Sequence, residues 1–306
     1  KQTDNLVEQS VFFLHEGKTI HQYTDLWGEP PRYCIELQKI HDKYNWQSAI
    51  RYFRLAFRSQ ASSTNERTGI AVVLPPGSIT SRKAPSEIRP SGRPTVKALA
   101  LCGVMNSFVY DFLLRLFVQT DVSFFISNRT PLPNLSVCAG FLSHQSLRLV
   151  SNHSGYAALW GEQLGAEWRE KRPIHGWPVL ESIDDRWGVQ AAVDAVVANA
   201  YGLSREQYSH VLSTFSQSSY PKASQLCLAC FDELKKNGLD AFMKKHDPYW
   251  DVPLNENLPI PVIDFPGIEE HPERVGVVRK SGGRKGRTQT VREETAKYGS
   301  LFDNDM

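Results

Sequence analysis

The chain has 306 residues, 41% of them hydrophobic and 11% aromatic, and 35 Lys and Arg against 33 Asp and Glu give a formal charge of +2. That apolar content supports a folded core and excludes wholesale disorder; the length accommodates one large domain or two smaller ones with tails. No apolar run reaches the ~18 residues that a membrane-spanning helix needs.

From the N-terminal end, period-two alternation and turn residues predict strands at 11–14 (VFFL), 33–37 (YCIEL), 69–75 (GIAVVLP) and 122–127 (VSFFIS). The stretch IRYFRLAFRS, 50–59, reads as strand or helix, and either reading sets Arg54 and Arg58 on one face. APSEIRPSGRP, 84–94, is rich in Pro and Gly and is expected as a surface loop. The long apolar run at 95–118 has helical spacing, with a break near Asn106 and Ser107.

From about 140 the pattern turns helical. Val189, Ala192, Val193, Val196, Val197 and Ala200 recur at helical spacing, and Gly202 supplies the stop. Ser204 with Gln207 three residues on forms a capping box for the next helix, and a third helix spans 222–237 up to Asn237-Gly238. Beyond Pro266 the chain is rich in Gly, Lys and Arg with no core-forming pattern, as in a disordered basic tail. The divisions expected are therefore an α/β unit over 1–136, a helical region over 137–265 and the tail over 266–306.

The charge is unevenly spread. Nine basic residues between Arg51 and Lys97 face only Glu66 and Glu87, and seven lie between Arg274 and Arg292 with no acid among them. Such excess points to a polyanion, with a solvated basic face as the plainer alternative. The five cysteines, Cys34, Cys102, Cys138, Cys227 and Cys230, are scattered and suit reduced thiols of a cytoplasmic protein. Cys227 and Cys230 have metal-clip spacing, but no second pair accompanies them and core packing accounts for both.

Motifs for bond-making chemistry are missing. The sequence has no phosphate-binding glycine loop between strand and helix, no G-x-S-x-G elbow and no H-E-x-x-H. The acid pairs Asp184-Asp185 and Glu269-Glu270 read as capping and solubility residues, and the histidines lack ligand spacing. Recognition is what remains. Arg54 and Arg58, held beside an apolar surface, suit phosphates or the O6/N7 edge of guanine.

Four segments carry a resemblance by their order: FLHEGKTIHQY (13–23), RLAFRSQASSTNERTGIAVVLPPG (54–77), VMNSFVYDFLLR (104–115) and VSFFISNRTPLPNL (122–135). Together they resemble the target-recognition domain in the C-terminal half of N6-adenine DNA methyltransferases, above all the fused type IIG restriction–modification enzymes and phage-defence methyltransferases. AAVDAVVANAYGLSREQYSHVLSTF (191–215) is similar to the helical segment that follows that domain, so the likeness covers roughly 11–216.

The resemblance implies an α+β fold, a curved mixed sheet with flanking helices followed by a mainly helical region. It implies double-stranded DNA as ligand, a methyltransferase half or subunit as partner and other defence-system proteins as further partners. That family carries S-adenosylmethionine and a D/N-P-P-Y/F tetrapeptide ahead of the recognition domain. Here the Pro-Pro pairs are Glu29-Pro30-Pro31-Arg32 and Leu74-Pro75-Pro76-Gly77, so no cofactor is expected in this chain and methyl transfer belongs to the rest of the assembly. The first residue, Lys1, fits a piece of a longer chain.

The DNA-binding candidates are Lys18, His21, Arg32, Arg54, Arg58, Thr64, Arg67, Arg82, Lys83, Arg89 and Arg93, with sequence-specific contacts expected from loops 24–32, 41–48 and 80–94. Gly17 allows a positive φ and a tight approach to ligand in the turn that carries Lys18. Ser63, Thr64 and Asn65 cap a turn and offer donors to a phosphate, while Arg67 reads as structural or phosphate-positioning, with Glu66 as its available ion-pair partner. The competing reading is a protein-docking module whose interface would use Trp160, Trp168, Trp177 and Trp187.

Overall fold

The computed structural model describes residues 11–40, 46–118, 120–170 and 176–264. Among these residues the chain is a mixed α+β protein with five short strands and ten α-helices. The basic segment 266–306 and part of the 41–48 loop lie outside the described residues.

The β structure is divided between two small sheets. Strand β1 (Val11–His15) is central in the first, antiparallel to β2 (Tyr33–Glu36) and parallel to β5 (Ile79–Thr80). Strands β3 (Arg54–Phe57) and β4 (Ala71–Leu74) form an antiparallel pair, preceded by the single turn α1 (Trp46–Ala49). The ambiguity over 50–59 thus resolves to a strand over Arg54–Phe57 only.

Both faces of β3 and β4 are buried. Leu55, Phe57, Ala71 and Val73 join the main core, whereas Ala56, Val72 and Leu74 pack with Ile20 and Ala84 from the loops on the other side. Arg54 therefore lies on a covered face. The 84–94 segment is no free surface loop, because Ala84, Glu87, Pro90 and Arg93 are buried. It runs beside β3: Glu87 N donates to Leu55 O at 2.9 Å, and Phe57 N donates to Pro85 O at 3.0 Å.

Helices α2 (Thr95–Met105) and α3 (Phe108–Arg115) meet at the expected break, where Ser107 Oγ accepts from Tyr110 N at 3.2 Å. The predicted strand at 122–127 is instead the single turn α4 (Phe124–Ser127). Ser123 caps it by accepting from Ile126 N, and Phe124 meets Phe57 edge-on at 5.0 Å. Local capping and one aromatic contact override the β propensity of that run.

The helical part follows as α5 (Ala139–Val150), α6 (Ala157–Leu164), α7 (Ile183–Ala200), α8 (Arg205–Ser213), α9 (Ala223–Asn237) and α10 (Leu239–His246). The Ser204–Gln207 capping box is formed, and Gly238 follows α9 with φ of 84°. Helix α7 is buried on nearly all sides over its second half, Asp194 included. Helix α5 lies close along α2: a Cβ on Gly103 would meet Ser146 Oγ at 2.8 Å, and Ser143 Oγ donates to Val96 O at 3.0 Å.

One hydrophobic core runs from β3, β4 and α2 through α5, α7 and α9, so it is continuous across 136–137. The chain then returns to the first sheet. Val262 N donates to Arg51 O at 2.9 Å, Arg51 Nε donates to Ile263 O at 3.0 Å, and Ile263 packs on the Phe12 and Ile79 cluster. No single helix among the described residues is long and apolar enough to cross a membrane.

Candidate functional site

The turn after β1 begins with Glu16 and Thr19 bonded to one another, Glu16 N donating to Thr19 Oγ1 at 3.1 Å. Between them Gly17 is pressed against the chain: a Cβ there would meet Lys83 O at 2.8 Å and Arg58 Cγ at 3.3 Å. Its φ is not positive, so glycine is required here for close approach, and the approach is to the protein's own Lys83 carbonyl. Arg58 Nε donates to Gly17 O at 2.7 Å and its NH2 group donates to Ile20 O. Ser59 N donates to Lys83 O at 3.0 Å, and Ser81 N donates to His15 O at 2.8 Å. These bonds hold the Lys18 turn against the Arg82–Lys83 turn, with Arg58 joining them.

The next turn, His21 to Thr24, is closed by reciprocal backbone bonds of 2.9 and 3.1 Å. Tyr23 sits in the left-handed region with φ of 59° and is buried. For a bulky residue that conformation costs about 1–3 kcal/mol and persists only where the surroundings impose it. They do so here. Tyr23 N donates to Ala71 O at 3.0 Å, and Asn152 Nδ2 donates to Tyr23 O at 2.7 Å. Gln22 Nε2 donates to Asn106 O at 3.0 Å and to Gly69 O at 3.3 Å.

Asp25 pins the far side of the loop. His153 Nε2 donates to its Oδ1 at 3.1 Å, and the Tyr156 hydroxyl lies 3.1 Å from the same oxygen and 2.9 Å from Val73 O. Because His153 Nδ1 accepts from Gly155 N at 3.1 Å, both ring nitrogens are engaged and neither faces a substrate. Burial pushes the Asp25 carboxyl up, but the hydrogen bond from His153 leads the effects that outweigh it and hold the group below its ordinary range.

What this pinned loop presents outward is Leu26 and Trp27. Trp27 N donates to Thr19 O at 3.1 Å, and its indole stacks on His21 with ring centroids 4.1 Å apart and planes inclined by 24°. Even so, 49% of Trp27 remains in solvent. Burial, then the charges of Arg58 and Arg67, lower the His21 imidazole to about 4, partly offset by Glu66, so the ring is neutral at pH 7.

The candidates divide by where their charged ends go. Lys18, Arg32, Thr64, Arg82, Lys83 and Arg89 are exposed, and His21 and Arg58 are half-buried. Lys18 is 3.4 Å from Glu16, Arg32 pairs with Glu29, and Thr64 bonds Ser62 Oγ at 2.9 Å. Arg54, Arg67 and Arg93 are buried and turned inward, so none presents its guanidinium to a ligand. Arg54 NH2 donates to Ser78 O, and burial lowers its guanidinium to about 10. Arg93 forms a buried pair with Glu87, whose other contact is Leu55 N at 3.3 Å.

Arg67 has Asp111 as its partner and not the adjacent Glu66. Its Nε donates to Asp111 Oδ2 at 2.8 Å, its NH2 donates to Asn106 O at 2.5 Å, and its guanidinium lies 4.1 Å over the Phe108 ring. Asp111 also accepts from Thr68 N at 3.0 Å and Arg115 Nε at 3.3 Å. Glu66 turns away to accept from Ser219 N at 2.8 Å and Ser218 Oγ at 3.1 Å. Asp194 on α7 closes the same region by accepting from Phe108 N at 2.6 Å; burial raises its carboxyl to about 7, opposed by Arg67 and that bond.

Trp160, Trp168 and Trp177 pack on one another with centroids 4.8 to 6.3 Å apart, and Trp187 stacks on Tyr220 at 4.9 Å. Trp160 is buried in the core, and Trp168, Trp177 and Trp187 pack half-buried against it. All five cysteines are free thiols, and the described residues hold no group of three or more His, Cys, Asp or Glu placed to bind a metal ion. A cleft beside α5, α7 and α10 is lined by Arg148, Lys245 and His246, but Arg148 pairs with Glu170 and the other two with Glu233.

Sequence reasoning did not single out Trp27, Asp25 or Asp111, and it named Asn106 only as a helix break. Trp27 alone left a signal, as a large aromatic in a Gly- and Pro-rich loop with no apolar periodicity to bury it. Comparison with known proteins finds no family model, no curated protein and no solved structure that matches the chain.

Proposed function

We propose that the chain is a DNA-recognition module that positions a duplex for an adenine-methyltransferase half carried outside these residues, where S-adenosylmethionine would be bound. The observation that carries this reading is the convergence of the exposed Lys18, Arg82 and Lys83, tied together through Arg58, around a loop whose backbone is fixed from the core. Arg82 and Lys83 are exposed, so their charge is available to phosphate. The rigid backbone lowers the entropic cost of ordering the surface on binding.

The test is fluorescence anisotropy of the chain with duplex DNA over a salt series. If Lys18, Arg82 and Lys83 meet about three phosphates, log K falls by roughly 2.7 per decade of salt. The double variant R82A/K83A then loses affinity and reduces that slope by about 2. Retained affinity and slope in the variant refute this surface, and no binding at low salt refutes the reading. A docking role for this chain draws on Leu116, Phe117 and Phe125, which are exposed around the end of α3 and in α4; it is favoured if DNA binding is absent.

A further inference from the structure

We infer that Trp27, backed by His21, is a stacking platform for a nucleobase that has left the duplex stack; the inference rests on the nucleic-acid reading of the same surface. The indole is half in solvent while its backbone is tied to Thr19 O, next to the Lys18 turn. A Cβ on Gly28 would lie 3.8 Å from Lys18 O, so the two turns are in contact and the ring stands beside the cationic rim. An exposed indole among cations suits a ligand that alternates flat apolar rings with phosphates.

The loop is built to hold the ring still. Tyr23 accepts a left-handed backbone, Gln22 reaches Asn106 and Gly69, and Asp25 is clasped by His153 and Tyr156. Tyr23, Gln22, Asp25 and Tyr156 are buried, so their combined effect is to fix His21 and Trp27. Strain that the surroundings over-determine is characteristic of ligand sites. His21 covers part of the indole as a neutral ring, which leaves π surface without a competing cation.

Bases inside B-form DNA have both faces covered by their neighbours, so Trp27 can stack only on a base that is unpaired or everted. Base–aromatic stacking is tolerant of base identity, since every base has a π face. Trp27 therefore favours a distorted site over a matched duplex without choosing its sequence.

The experiment uses a 20-base-pair duplex carrying 2-aminopurine opposite an abasic site, its fully matched counterpart, and the parent, W27A, W27F and R82A/K83A chains. The parent binds the abasic duplex more tightly than the matched one and quenches the 2-aminopurine. W27A loses roughly 5- to 150-fold on the abasic duplex and little on the matched one, W27F keeps most of the affinity, and R82A/K83A weakens both. Urea midpoints confirm that each variant is folded. If R82A/K83A weakens both duplexes while W27A changes neither, the DNA surface stands and the platform is refuted. Equal losses on both duplexes with unquenched 2-aminopurine make Trp27 a groove contact and refute it as well. If the parent binds neither duplex at low salt, both readings fall and the indole faces a protein.

Discussion

Replacing Asp111 by alanine tests whether Arg67 belongs to the fold or to the ligand. The carboxylate is fully buried and accepts from Arg67 Nε at 2.8 Å, Thr68 N at 3.0 Å and Arg115 Nε at 3.3 Å. Removing it leaves Arg67 with Asn106 O and the Phe108 and Phe215 faces, and deprives Thr68 N of its acceptor. Breaking a buried ion pair from one side costs about 3–5 kcal/mol, and an unsatisfied buried donor about 1–3 kcal/mol. The two penalties overlap, and Arg115 is near enough to the surface for water to reach it, so the expected loss is about 3–5 kcal/mol. Urea unfolding of the parent, D111A, R67A and the double variant gives the coupling between the two side chains. A coupling below about 0.5 kcal/mol means that the pair is not the contact described and refutes the reasoning. The same material settles the ligand question: folded R67A keeps the parental salt slope of DNA binding. A slope reduced by about 1 means that Arg67 reaches a phosphate.

Two further outcomes follow from single contacts. Substituting Gly17 by alanine drives a Cβ to 2.8 Å from Lys83 O, which also accepts from Ser59 N and cannot simply swing away; a loss of about 1–3 kcal/mol by urea unfolding is expected, and an unchanged midpoint refutes the tight approach. Asp194 has its folded-state carboxyl raised to about 7 from the ordinary 3.8, so between these values the unfolded chain releases its proton and the folded chain keeps it. Its contribution to stability therefore falls as pH rises from about 4 to 7, by up to ~1.4 kcal/mol per pH unit, and is level above that window. D194N, which can still accept from Phe108 N, removes that slope. A parent-minus-variant difference that is flat from pH 4 to 7 refutes it.

Some of this structure is legible from local sequence and some is not, for a consistent reason. The break between α2 and α3 shows because Ser107 caps within three residues. The Ser204–Gln207 box and the Gly238 stop show likewise. Asn106 is different: its side chain pairs with both the N–H and the C=O of Ala71 at 2.9 Å, a bond to a residue 35 positions away that no window reveals. Arg54 illustrates the same limit. Alternation along 53–58 correctly separates the arginines from Phe53, Leu55 and Phe57, but periodicity assigns faces without saying what covers them. Ile20 and Ala84 cover the second face, and an arginine expected at a surface lies inside. Adjacent charge misled in the same way at Arg67, whose partner lies 44 residues on while Glu66 serves another loop.

The helical part is better understood as the mount of the surface loops than as a separate unit. Asn152 and His153 follow α5 directly and Tyr156 precedes α6, yet their polar atoms act on Tyr23 and Asp25, more than a hundred residues earlier. Asn106, at the junction of α2 and α3, receives Gln22 and Arg67 on its carbonyl and binds β4 with its amide. Asp194, from the middle of α7, holds the first residue of α3. Asn152, His153, Tyr156 and Asp194 thus reach from the helical part to a loop or junction of the α/β part, and these contacts form only when both parts are docked. Since unsatisfied buried polar atoms are costly, the α/β part cut after residue 136 would lose the partners of Tyr23 and Asp25 together. The turn bearing His21 and Trp27 depends on those partners for its backbone. The geometry of this surface is therefore a property of both parts of the described chain together.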